Sequence, residues 1–206
     1  MDWQLDATEA RVLGALLEKE ITTPDYYPLS TNALVNACNQ KSNREPVVSY
    51  DDDTVEDALA SLRAKGLAVR VTGDSRVAKH EQRFTEKFNL GRREAALLCV
   101  LMLRGPQTVG ELRGRSERLY TFDDLEAVEA TLVRLAEMEY VKKLPRRTGF
   151  KEQRWAQLLA GDVEEVGEAA APAAERGPSD RDRIVKLEAD FAALKEEFER
   201  FRRNFE

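Results

Sequence analysis

The stretch VEDALASLRAKGL, Val55 to Leu67, has a counterpart further along the chain in VEATLVRLAEMEY, Val128 to Tyr140. The two share a leading Val-Glu and two leucines at the spacing of one helical face. Each follows a run of aspartates that can cap a helix. An internal repeat of this kind indicates two copies of one structural unit.

Three helices are predicted in the first copy. DATE starts the first helix, because Asp6 can cap it and the glutamate three positions on can reach back to the cap. Ser30 or Thr31 caps a short second helix, and Asp51 or Asp52 caps the third. The same order returns from REAALLCVLMLRG onward.

A β-hairpin is predicted after the third helix of each copy. LAVRV forms a strand, GDSRVAKHE a hairpin tip with a solvated His80, and QRFTEKF the returning strand. In the second copy, YVKKL and QRWAQLL flank the tip PRRTGFKE. Three helices and a hairpin make a winged helix. The sequence therefore predicts a mainly α fold with small β-hairpins, of the α+β class, with tandem winged-helix domains at residues 1–89 and 90–159.

The helix at residues 95–103 is apolar on almost all sides, which predicts burial on most of them. Two readings stay open. It is either the central helix of the second domain's core alone, or it also contacts the first domain or a second chain.

The remaining residues divide into a linker and a tail. Residues 160–179 are rich in Ala, Glu, Gly and Pro, which is typical of a flexible linker. Residues 180–206 predict a coiled-coil helix, because large apolar residues alternate at spacings of three and four. That seam is Ile184, Leu187, Phe191, Leu194, Phe198, Phe201 and Phe205. Opposite charges flank it in a parallel pair, so we expect a homodimer; the alternative is a helix folded back onto the winged helices.

Bulk properties narrow the classes of protein. The 206 residues carry a formal net charge of −6. Only residues 90–159 are basic, with 13 Lys and Arg against 10 Asp and Glu. No secretion signal is evident at the start, and the longest apolar run is shorter than the roughly 20 residues of a membrane span. We expect a cytoplasmic protein without a membrane partner, in which Cys38 and Cys99 are buried free thiols.

Residues that could carry catalysis do not converge. Two distant cysteines and one histidine lack the spacing of a metal site. No glycine-rich phosphate loop and no nucleophile with a paired base is evident. We therefore expect no catalytic residues, no metal and no cofactor, and a protein that is not an enzyme.

Basic side chains suggest a different activity, because lysine and arginine neutralise nucleic-acid phosphates. They concentrate in the loop before the third helix, in its counterpart and in the second wing. The candidates are Lys41, Asn43, Arg44, Arg113, Arg115, Arg118, Lys142, Lys143, Arg146, Arg147, Lys151 and Arg154. The alternative is an ordinary solvated surface.

The exposed faces of the third helices do not resemble a base-reading surface, because apart from Arg134 they mix Asp and Glu with small residues, where base readers typically offer Arg, Asn, Gln or Lys. The sequence thus favours a DNA-binding, transcription-regulatory protein that contacts phosphates through its loops and second wing. The alternative is a protein–protein interaction scaffold that uses winged helices as docking modules.

The segment LSTNALVNACNQKSNREPVVSYDDDTVEDALASLRAKGL closely resembles the bacterial YceH family. Asn39 to Pro46, Asn-Gln-Lys-Ser-Asn-Arg-Glu-Pro, is the specific signature, and the likeness extends over roughly residues 5–160. The resemblance implies tandem winged-helix domains in a bacterial cytoplasmic protein. It implies no catalytic residues, and it does not extend to the linker or the tail.

Overall fold

A computed structural model describes residues 4–71, 77–146 and 152–161, and Lys195. The chain divides into two compact units, Met1–Val163 and Glu164–Glu206. Both predicted winged helices fall within the first unit, and the boundary between them stays a prediction. The predicted coiled-coil seam, Ile184 to Phe205, lies outside the described residues, as do Arg147 and Lys151.

The described residues form seven α-helices and five short β-strands. In the first half these are α1 (Ala7–Thr22), β1 (Leu29–Ser30), α2 (Thr31–Cys38), α3 (Asp52–Ala64), β2 (Ala68–Val71), β3 (Lys79–Gln82) and α4 (Phe84–Lys87), with a 3₁₀ turn at Pro24–Tyr26. In the second half they are α5 (Arg92–Arg104), α6 (Val109–Ser116), α7 (Leu125–Glu137), β4 (Val141–Lys143) and β5 (Trp155–Gln157). The α+β class is confirmed. None of the described helices combines the length and apolar character needed to span a bilayer.

Side-chain caps fix the helix starts where the sequence predicts them. The carboxylate of Asp6 accepts from the backbone N–H of Glu9, whose carboxylate accepts from the Asp6 backbone N–H, both at 2.7 Å. Ser30 caps α2 and Asp51 caps α3. Each cap satisfies a backbone donor that a helix start leaves free.

The first hairpin differs from the prediction. The returning strand is β3, Lys79–Gln82, which lies between β1 and β2 in an antiparallel sheet, and the predicted strand residues 84–87 are helical. Gln82 ends the strand because its side-chain oxygen accepts from the backbone N–H of Thr85 at 3.0 Å. The short helix that follows buries Phe84 completely. In an extended strand, side chains would instead point alternately to the two faces of the sheet.

His80 is buried, so the predicted solvated tip residue is wrong. It lies in β3 opposite Leu29 and Arg70, and only 1% of it is exposed. Its Nε2 lies 3.3 Å from Thr31 Oγ1 and 3.8 Å from Glu56 Oε1. The cause is strand register: starting β3 at residue 79 rather than 82 turns His80 toward the interior.

The first helices of the two halves share one core. α1 packs along α5, and Gly14 permits the approach because a Cβ there would lie 3.0 Å from Leu103 Cδ2. Cys99 Sγ, fully buried, donates to Gly14 O at 3.4 Å. Residues 95–103 are buried throughout, and the packing of α5 against α1 confirms the reading in which this helix also contacts the first half.

We predict that the His80 imidazole titrates below its ordinary pKa of about 6.5. Burial lowers the pKa, the nearby Glu56 opposes this, and the charges of Arg63 and Arg70 lower it further. Proton-detected NMR can follow this histidine without overlap, since the chain has only one. A midpoint at or above 6.5 would contradict the burial.

The lowered pKa of His80 makes the free energy of unfolding depend on pH. The folded pKa is depressed, so protons bind the unfolded chain first, and the free energy of unfolding falls as pH drops below about 6.5. His80→Gln should flatten this part of the curve, measured by urea denaturation.

Candidate functional site

The 39–46 loop, Asn39 to Pro46, is held by hydrogen bonds at both ends. The Asn39 side chain donates to Tyr50 O and accepts from the Tyr50 backbone N–H, both at 2.8 Å. The Arg11 guanidinium on α1, 4% exposed, donates to Pro46 O at 2.7 Å and to Cys38 O at 3.3 Å. These bonds give the polar loop a fixed path beside α1 and the end of α2.

Arg44 points from this loop into the interior. The residue is 5% exposed, and its guanidinium donates to Glu18 Oε1 at 3.0 Å and to Glu18 Oε2 at 2.5 Å. Ala37 O and the Gln40 side chain accept further bonds. The structure therefore places Arg44 among the interior residues, and its donors are already occupied.

Glu18 joins the two halves through charge. Its buried carboxylate also accepts from Arg118, in the chain after α6, and lies 3.6 Å from Lys19 Nζ. Burial alone would raise the pKa of Glu18. The hydrogen bonds and charge of Arg44, with the charges of Arg118 and Lys19, outweigh it and lower the pKa. The carboxylate therefore stays ionised inside the protein.

The other candidates of the second half are mostly paired. Arg113 donates to Phe122 O and Asp123 O, and so ties α6 to the segment before α7. Arg115 donates to the Gln107 side chain at 2.8 Å. The carboxylate of Glu111 lies 3.5 Å from Arg115 and 3.1 Å from Arg154, a residue of the second wing.

The second wing is described only in part. Lys143 lies 3.1 Å from Glu129 and over the Trp155 ring at 5.4 Å from its centroid. Lys142 is half-buried and Arg146 is exposed, and each has an interaction of its own. Lys41, by contrast, is exposed in the 39–46 loop and makes no ion pair with a described residue.

Several candidates converge on one cleft between the halves. Asn43 comes from the 39–46 loop, and Arg115 and Arg118 come from α6 and its end. Arg104, the last residue of α5, completes the wall and is absent from the sequence-based candidates. We call the cleft and these four residues, with Glu18 at its wall, the arginine junction.

The exposed faces of the third helices carry carboxylates, as predicted. α3 exposes Asp52, Asp53, Glu56 and Asp57. On α7, Glu126 and Glu129 are exposed beside Leu125 and Val133, each 46% exposed. Among the described residues, no group of His, Cys, Asp and Glu is arranged to hold a metal ion.

We predict that Arg44→Leu lowers the free energy of unfolding by about 3–5 kcal/mol, because it removes the partner that donates to both oxygens of a buried carboxylate. Lys41→Leu, in the same loop but exposed, should change it by less than about 0.5 kcal/mol. Urea denaturation of the three proteins at pH 7 tests this.

Acid should reduce the difference in unfolding free energy between the wild type and Arg44→Leu. The depressed pKa of Glu18 means that its contribution is present above about pH 4.5 and lost as pH falls through the folded value. The structural role of the Arg44–Glu18 pair would be contradicted if Arg44→Leu lost less than about 1 kcal/mol of unfolding free energy at pH 7. It would also be contradicted if the difference from the wild type were the same at pH 3.

The comparisons with known proteins agree with the resemblance to the YceH family. A relative from Solibacter usitatus, described as a UPF0502 protein, is 75% identical over 206 residues, covering 100% of both chains. A UPF0502 protein from Citrifermentans bemidjiense is 52% identical, covering 93% of this chain and 90% of its own. One from Opitutus terrae is also 52% identical, covering 93% and 83%.

Residues 5–150 match the family described as "Protein of unknown function, DUF480". This range holds the 39–46 loop, α5 and every residue of the arginine junction. The chain therefore belongs to the DUF480 family.

Proposed function

We propose that the protein is a non-enzymatic, cytoplasmic DNA-binding protein of tandem winged-helix domains that acts in transcription regulation. The observation that carries the proposal is the convergence of three basic groups that lie far apart in the sequence. Arg44 of the loop and Arg118 share Glu18, and Arg115 shares Glu111 with Arg154 of the second wing.

Exposure decides which of these residues take phosphates. The side chains of Arg115 and Arg118 are 32% and 41% exposed, and Lys41 is exposed without an ion pair among the described residues. Guanidinium groups bind phosphate oxygens with paired hydrogen bonds, so a partly satisfied arginine can still accept a second anion. Arg44 is left out of the proposed contact because it is buried.

The proposed contact positions the protein on DNA with little reading of bases. The carboxylates of α3 and α7 would repel a phosphate backbone at close range, which keeps both helices out of a groove. Contacts to phosphate fix orientation and carry no direct sequence information. Specificity then has to come from DNA shape or from the pairing of two copies.

Binding should depend steeply on salt. If about four phosphates are neutralised, the logarithm of the association constant falls with the logarithm of salt at a slope near −3.6, which is about 150-fold between 50 and 200 mM. Fluorescence anisotropy with mixed duplex fragments measures this. Absence of binding at low micromolar protein and low salt would end the proposal.

Variants locate the contact. Arg115→Gln, and separately Arg146→Gln with Arg147→Gln, should weaken binding and reduce the slope by about 1 for each lost phosphate contact. Arg92→Gln, an exposed arginine at the start of α5, is the matched control and should leave the slope unchanged. Equal affinities and equal salt slopes for the wild type and the three variants would exclude these residues as contacts.

We also propose that the tail pairs two copies of the chain. Light scattering on the full-length protein should give the mass of two chains, and a chain ending at Ala160 should give one. A full-length monomer would exclude the proposed homodimer through Ile184 to Phe205.

The second candidate is a protein-interaction scaffold. Leu125 and Val133 are exposed on α7 between carboxylates, a mixture that suits protein packing as well as solvent. Affinity capture would then return a stoichiometric protein partner whose binding is lost in Val133→Asp. Recovery of DNA alone would count against this candidate.

A further inference from the structure

Arg104 is a half-buried cation whose Nε donor has no hydrogen-bond acceptor among the described residues. It ends α5, its Nε atom is buried, and its guanidinium makes no hydrogen bond or ion pair with a described residue. A buried donor without an acceptor is costly, and more so when it is charged. The negative end of the α5 dipole offsets part of the charge but supplies no acceptor at Nε.

Its surroundings add positive charge. Burial lowers the pKa of Arg104, and the nearby charges of Arg115, Arg118 and Arg44 lower it further, with Glu45 opposing them. The carboxylate that lines the cleft, Glu18, is already shared: it accepts from Arg44 and Arg118, and no hydrogen bond or ion pair joins it to Arg104.

The size of the cleft limits what can enter. Its volume is about 10 Å³, which admits a single water-sized atom. A whole nucleotide or a planar ring cannot fit. One oxygen of an oxyanion can fit, with the rest of the group outside among the exposed ends of Arg115 and Arg118.

We infer that the arginine junction binds one phosphoryl group, with one oxygen inserted beside Arg104 and the others held by Arg115 and Arg118. The phosphoryl group can come from two sources with the same chemistry. One is a small molecule, either free phosphate or a phosphate monoester, and the other is the backbone of a nucleic acid. The inference shares two arginines with the proposed DNA contact and in that respect rests on it, but the two can fail separately.

A bound phosphoryl group would brace the two halves of the first unit. Asn43 lines the cleft from the 39–46 loop, and the three arginines line it from the second half. A ligand that binds only the folded protein stabilises it by RT ln(1 + L/Kd), where L is the concentration of free ligand, and so raises its unfolding temperature. For a dissociation constant near 1 mM, 20 mM phosphate should raise it by about 4–7 °C.

The test uses the full-length protein and inorganic phosphate as the probe. Unfolding temperatures are compared in sodium phosphate and in sodium chloride of equal ionic strength, for the wild type, Arg104→Gln and Arg92→Gln. The control makes the same substitution at the other end of α5, about 18 Å away at 1.5 Å per residue. Arg104→Lys is included in case the glutamine variant does not fold, since it keeps the charge but loses the planar pair of donors.

We expect the phosphate-specific rise in the wild type and in Arg92→Gln. In Arg104→Gln it should be lost, and in Arg104→Lys the apparent dissociation constant should rise at least fivefold. Phosphate also stabilises proteins by exclusion from their surfaces, and that general effect would persist in every variant. A rise of equal size in all four proteins, or no rise in the wild type, overturns the inference.

A second arm separates the two sources. If the group belongs to nucleic acid, Arg104→Gln should weaken binding of a labelled duplex about tenfold, and free phosphate should displace the duplex more than chloride of equal ionic strength. Phosphate stabilisation through Arg104 without duplex binding would sink the proposed function and leave the inference standing. If Arg104→Gln binds the duplex as tightly as the wild type, and phosphate gives no specific rise in unfolding temperature, the inference fails and the proposed function stands.

Discussion

The buried carboxylate of Glu18 organises the first unit. It receives Arg44 from the 39–46 loop and Arg118 from the second half, while its own helix, α1, packs along α5. An ionised group inside a protein is tolerated only when its partners satisfy it, so loop, helix and second half must all reach it together. The path of the loop, the direction of Arg44 and the position of the arginine junction follow from that one requirement.

Local chemistry explains what the sequence could predict. A cap and its first turn lie within four residues of each other, so Asp6, Ser30 and Asp51 mark helix starts without knowledge of the rest of the fold. The third helices could be predicted equally well, because their apolar residues recur at the helical period and form one face. The mixed class followed from the order of these elements.

Distant contacts explain what the sequence could not predict. Arg44 looks like a surface cation in a polar loop, and only Glu18, 26 positions earlier, makes it an interior residue. His80 turns inward because β3 begins three residues before the predicted strand, a register that β1 and β2 set from both sides. Arg104 ends an apolar helix before Gly-Pro, and nothing local distinguishes it from an ordinary helix-terminal cation.

The distribution of charge gives the molecule two different kinds of surface. Arg115 and Arg118 lie where the halves meet, in ion pairs that leave part of their charge exposed, while α3 and α7 expose carboxylates. An acidic chain can still present a local positive field when its basic side chains are concentrated and its acidic ones lie elsewhere. Net charge alone is therefore a poor guide to what this chain binds.

The close approach of α1 and α5 at Gly14 has a consequence for how the repeat behaves. Two copies that each carried a separate core could swing about a linker and could gain or lose order one at a time. Here a single continuous core runs through both, from Leu13 to Leu101. Because the two halves share this core, a change that loosens one half removes packing from the other as well.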